Sequence, residues 1–89
     1  MKLKIKQHGL VEAKTLVLTE EGVVFRQANA LSAPKKKFNF SQIDYILLSL
    51  GNAFSFGVGD EVFSIQIDST NKNHQELIDT MVRKVRETL

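Results

Sequence analysis

The sequence predicts a mainly β fold closed by one C-terminal helix, and three observations carry that expectation. Apolar residues recur with period two through the first three quarters of the 89-residue chain, which is the spacing of strands that bury one face. The period turns helical near residues 68–73. Turn-forming pairs built on glycine punctuate the stretch before that change. Strands in series followed by an amphipathic helix imply a curled antiparallel sheet whose open end or face the helix covers.

Residues 2–6 alternate Lys2, Leu3, Lys4, Ile5 and Lys6, so a half-buried strand with its lysines on the wet face is expected there. His8-Gly9 breaks it. Residues 12–19 form the next strand, with Leu16 and Leu18 sharing a face. The turn 19–22 follows, Gly22 being read as its left-handed residue. Residues 23–27 return. Residues 28–35 hold the single proline and many small residues, and read as the long loop.

Residues 36–40 read as a short strand with Phe38 and Phe40 inward and Lys37 and Asn39 outward. Ser41-Gln42 is a corner. Residues 43–50 are apolar enough to be a central strand or one covered on both faces. Gly51-Asn52 and Gly59-Asp60 each place glycine first, as a type II′ hairpin turn requires. Phe54, Phe56 and Val58 point one way, and Phe63, Ile65 and Ile67 do the same on the partner strand. Residues 68–71 are rich in capping side chains. Beyond them Leu77, Ile78, Met81, Val82, Val85 and Leu89 keep one helical stripe, over a helix at about 72–88.

Bulk composition bounds the rest. Eighty-nine residues make one domain, residues 1–89, with a modest core. There is no cysteine, so disulfides and thiolate metal sites are excluded and packing alone must hold the fold. The lysine-interrupted N-terminus is not read as a signal peptide, and no apolar run reaches the roughly 18–20 residues of a membrane span. Cytoplasmic residence is therefore expected, with peripheral attachment to the inner face of the membrane as an extension. A net charge of +2 permits an anionic partner without demanding one.

About seven strands joined mostly by hairpins, then one helix, resemble the pleckstrin-homology-like (PH-like) fold. The stretch Thr15-Leu16-Val17-Leu18-Thr19-Glu20-Glu21-Gly22-Val23-Val24-Phe25-Arg26, then Phe38-Asn39-Phe40-Ser41-Gln42-Ile43, then the final hairpin and helix, follow the order of the bacterial PH-like and GRAM-type branch. The resemblance implies an antiparallel β-barrel or split barrel capped at one end by the helix. By analogy it also implies a non-enzymatic binding or scaffold module.

Lys35, Lys36 and Lys37 are the strongest candidate ligand residues, three adjacent cations at a barrel edge that suit phosphate groups. They also suit a solvated loop that stops an edge strand from pairing with other chains. Lys2, Lys4 and Lys6 form a ladder that extends the patch, together with Arg26, if both groups share one surface. The alternation of Lys36, Lys37, Phe38, Asn39 and Phe40 has the form of a single-strand nucleic-acid platform, although strand parity favours the core for both rings.

His8 and His74 lack a second ligand at metal spacing. Glu20-Glu21 and Asp60-Glu61 lie in turns where adjacent carboxylates seldom converge. Ser41, Ser55 and Ser64 have no triad pattern. No catalytic residue, metal or cofactor is therefore assigned. The apolar segment 45–50 is either covered by the helix or is a partner surface. The expected roles are ranked as protein–protein interaction or self-association, then binding of anionic lipid headgroups or phosphorylated ligands, then nucleic acid, then enzyme.

Overall fold

The computed structural model describes residues 3–8, 12–29 and 34–89. Seven antiparallel strands form two sheets. Strands β1 (Leu3–His8), β2 (Glu12–Leu18), β3 (Gly22–Asn29) and β4 (Lys35–Asn39) make a four-stranded sheet in that order. A 3-10 turn at Phe40–Gln42 leads into β5 (Tyr45–Ser49), β6 (Ala53–Val58) and β7 (Glu61–Gln66), the three-stranded sheet. Helix α1 (Lys72–Glu87) closes the described chain and packs against β1 and the 3-10 turn.

Period-two patterning becomes a core because both sheets turn their apolar faces toward each other. Leu3, Ile5, Leu16, Leu18, Val23 and Phe25 come from the four-stranded sheet, and Phe54, Phe56, Phe63, Ile65 and Ile67 from the other sheet and its exit. Phe40 and Ile43 fill the corner between them. Helix α1 adds Leu77, Met81 and Val85, with Ile78 half-buried against the cluster. Each such side chain contributes about 1.5–3 kcal/mol. Phe25, Phe38, Phe56 and Phe63 form one aromatic knot, with centroid spacings from 5.1 to 6.2 Å. Phe38 and Phe40 thus serve the interior.

The helix begins where its cap predicts. The Asn71 side chain accepts from the backbone N–H groups of Asn73 and His74, satisfying two of the donors a helix start leaves unpaired. Lys84 and Arg86 occupy the last turn, where cations suit the dipole. Leu89 lies beyond the cap and is fully exposed, so the apolar stripe ends at Val85.

Several local expectations are corrected. Gly22 is not left-handed; it is the first residue of β3, and any Cβ there would collide with the backbone of Phe38 and Asn39 on β4. Its turn is instead clasped by Thr19, whose N–H donates to the Gly22 carbonyl at 2.8 Å and whose Oγ1 accepts from the Gly22 N–H at 3.1 Å. The β5–β6 turn spans three residues. Its hydrogen bond runs from the Asn52 N–H to the Ser49 carbonyl at 3.2 Å, making Leu50 and Gly51 the central pair. Gly51 has φ 83°, which the second central residue of a type II turn requires. Asn52 follows with φ 63°.

Gly59, with φ 59°, is the first residue of a two-residue turn as expected. Strand β3 extends to Asn29 and β4 begins at Lys35, so the long connection is shorter than the sequence suggests; residues 30–33 lie outside the described residues. Phe40 belongs to the 3-10 turn and not to the preceding strand. The largest correction concerns β5. It is neither central nor covered on both faces: among the described residues it pairs with β6 alone, and although Ile46 packs against the core, Tyr45, Leu47 and Leu48 are exposed.

Candidate functional site

The register of the four-stranded sheet decides which candidate residues meet. Residues directly opposite each other in adjacent strands share a face. One row reads Lys4, Val17, Val24 and Lys37 across β1 to β4. The next reads Lys6, Thr15, Arg26 and Lys35. Both rows belong to the outer face, because their sequence neighbours Ile5, Leu16 and Phe25 are buried inside. Five cations from three strands therefore occupy one surface, about 14 Å across at the usual strand spacing.

The cations surround an apolar floor. Lys4, Lys6, Arg26 and Lys35 line a depression of about 350 Å³ with Ala13, Thr15, Val17, Val24 and Ala28. Val17 and Val24 are direct partners and half-buried, which suits the long aliphatic stems of lysine and arginine. No outward position of β1 to β4 in this register holds Asp or Glu.

The electrostatics of this face are unfavourable to the protein itself. Arg26 stands directly opposite Lys35, and like charges in that position destabilise a strand pair. Among the described residues, Lys4, Lys6, Arg26, Lys35 and Lys37 enter no ion pair; the Lys36–Glu61 contact is the salt bridge found there. An anion over Arg26 and Lys35 would relieve the repulsion.

Lys36 is placed differently from its two neighbours. Strand alternation turns it to the other side of β4, opposite Phe25. Its Nζ lies 2.6 Å from Glu61 Oε2 at the start of β7 and 5.4 Å from the centre of the Phe63 ring. It links the edges of the two sheets and is separate from the outer cationic face. Lys2 lies outside the described residues. The three adjacent lysines thus divide two to one, while Lys4, Lys6 and Arg26 join the pair.

Sequence reasoning missed the floor. Ala13, Thr15 and Val17 are the outward residues of β2, and their lack of charge beside two lysine-bearing strands was a readable signal only once the strand order was known.

The three-stranded sheet has a different outer face. Tyr45, Leu47, Ser49, Ala53, Ser55, Gly57, Val62, Ser64 and Gln66 share it, and none is charged. The Ser55 and Ser64 hydroxyls share a hydrogen bond at 2.7 Å, and the Tyr45 ring lies across Gly57. Leu47 is 54% exposed and Leu50, at the adjoining turn, fully so.

Elsewhere, chemistry-bearing groups serve structure. His74 Nδ1 accepts from the Asp68 N–H at 3.0 Å, which fixes the approach to α1. Asp68 Oδ1 accepts from the Thr70 hydroxyl at 2.6 Å and from the Thr70 N–H at 2.9 Å. These bonds, then the nearby His74, hold the Asp68 carboxyl below the usual aspartate range. Among the described residues, no three His, Asp or Glu side chains group at metal-ligand distance, and no helix is long and apolar enough to cross a membrane. Compared with known proteins, the chain matches no family model, no curated protein and no solved structure.

Proposed function

We propose that this chain is a non-enzymatic, PH-like binding module that engages phosphate-bearing partners through the outer face of its four-stranded sheet. The observation that carries this reading is the Arg26–Lys35 pair, two like charges placed opposite each other without a counter-charge, inside a ring completed by Lys4, Lys6 and Lys37. Seven antiparallel strands in sheets of four and three, followed by a helix, are in keeping with a PH-like module. The broad, shallow form of the site suits an extended anionic surface, and the anionic inner leaflet of a cytoplasmic membrane offers that chemistry.

Each cation near such a surface contributes about 1 kcal/mol. Four or five acting together give a preference on the order of a thousandfold over a neutral bilayer. The test is co-sedimentation with anionic and neutral vesicles at low and physiological salt, with glycerophosphoserine as a soluble competitor. Binding to anionic vesicles alone, weakened by salt, is the expected result. Competition by millimolar glycerophosphoserine would assign the site to single phosphorylated ligands. Equal binding to neutral vesicles, or none to either and no effect of the soluble phosphate, would overturn the reading.

The uncharged β5 edge favours a second, compatible role in protein interaction or self-association.

A further inference from the structure

We infer that β5 is a self-association edge, along which a second copy of this chain pairs antiparallel about a two-fold axis at Leu47. This goes beyond the anion-binding reading and does not depend on it.

Among the described residues the two sheets have four edge strands, β1, β4, β5 and β7. Unpaired strand edges invite pairing with another chain, and charged side chains, especially lysine, are a common protection. Strand β1 carries Lys4 and Lys6, β4 carries Lys35, Lys36 and Lys37, and β7 carries Glu61. Strand β5 reads Tyr45-Ile46-Leu47-Leu48-Ser49, with no charge and no proline. It also has three exposed apolar side chains, Tyr45 at 44%, Leu47 at 54% and Leu48 at 52%, where β7 has one, Val62.

The charge pattern selects a second copy as the occupant. In antiparallel pairing centred on Leu47, Leu47 meets its own equivalent, Ile46 meets Leu48, and Tyr45 meets Ser49. Every pair is uncharged; Leu47 with its equivalent and Ile46 with Leu48 match apolar with apolar, while Tyr45 faces the hydroxyl-bearing Ser49. Leu48 shares a shallow depression with Asp79 of α1, and the charge next to β5 along the chain, Asp44, is already engaged: its Oδ2 accepts from the Gly59 N–H at 2.8 Å. In this register it would stand opposite Leu50, so no like charges meet. The cationic rows belong to the other sheet. Such pairing is isologous, as a two-fold dimer requires, and joins the two three-stranded sheets into one of six strands. Five residues per copy bury less than a standard interface, so the association is expected to be weak and concentration-dependent.

The chain has no cysteine, which makes the test direct. Directly opposed antiparallel residues have Cα atoms about 4.5–5.5 Å apart, within the range a disulfide spans. Leu47→Cys should therefore cross-link to a dimer on mild oxidation. Val62→Cys, equally exposed on the same outer face but on β7, should do so at least tenfold more slowly. The unmodified full chain should rise from its 10.0 kDa monomer mass toward twice that value as concentration increases in sedimentation equilibrium. Leu47→Lys, with folding checked by circular dichroism, should shift that rise to at least tenfold higher concentration. A monomer mass up to millimolar concentration, or cross-linking of Leu47→Cys no faster than Val62→Cys, would overturn the proposal. All measurements are made without anionic ligand, so failure here leaves the vesicle-binding reading standing.

Discussion

The two sheets are alike inside and opposite outside. Each directs alternate apolar residues into one core, and Leu16 on one and Phe54 on the other are both fully buried. Outside, the four-stranded sheet carries Lys4, Lys6, Arg26, Lys35 and Lys37 around two valines, whereas the outer-face positions of the three-stranded sheet carry no charge, Glu61 of β7 lying on the opposite face. Folding needs only the inner pattern. The outer residues are free to differ, so the contrast between them is where binding properties are concentrated.

The likeness of the inner faces is broken or upheld by truncation, which has the largest expected effect. Leu16→Ala and Phe54→Ala should each cost about 3–5 kcal/mol in urea unfolding; a loss under 1 kcal/mol for either would mean that its sheet does not bear on the core. Next comes charge reversal on the outer face. Arg26→Glu with Lys35→Glu should reduce partitioning to anionic vesicles on the order of a hundredfold or more, whereas Lys36→Glu should change it several-fold at most, since Lys36 lies on the other side of β4 and pairs with Glu61. Equal losses would show that the triple lysine acts as one cluster.

Smaller effects sharpen the contrast. Asn71→Ala removes the cap of α1 and should cost about 1 kcal/mol without altering either outer face. Lys35→Gln relieves repulsion with Arg26 and should raise stability by roughly 0.2–1 kcal/mol at low salt, the gain shrinking as salt screens the pair, while vesicle binding falls. A group whose removal stabilises the fold but weakens binding serves the ligand more than the structure. The smallest effect is in acid. Because the folded state lowers the pKa of Asp68 below its ordinary 3.8, its bonds to Thr70 contribute stability above that pH and lose it as the pH falls through the lowered value. Asp68→Asn should flatten that part of the acid unfolding curve.

Strand identity and the helix were legible because each rests on local periodicity. The helix over residues 72–87, a cap drawn from residues 68–71 and the Gly59 turn depend on side chains within a few positions of one another. Gly22 misled because its requirement is not local: Phe38 and Asn39, sixteen and seventeen residues away, leave no room for a Cβ. Strand β5 misled for a related reason. An apolar run on both faces reads the same whether a neighbour covers it or nothing does, and edge position is a property of the assembled sheet.

The cationic face divides between the two kinds of information. Alternation in the sequence already put Lys4 and Lys6 on one side of their strand, and by the same parity it separates Lys36 from Lys35 and Lys37. It could not bring β1 within reach of β4. That step needed the strand order and the register opposing Lys6 to Thr15, Thr15 to Arg26 and Arg26 to Lys35. Periodicity along the chain was enough to reveal a series of strands followed by a helix, together with most of their inward residues, because hydrophobic burial acts on a period of two or 3.6 wherever the chain lies. Only the tertiary structure decided which outward residues became neighbours and which edge was left bare, because those relations join positions far apart in the chain.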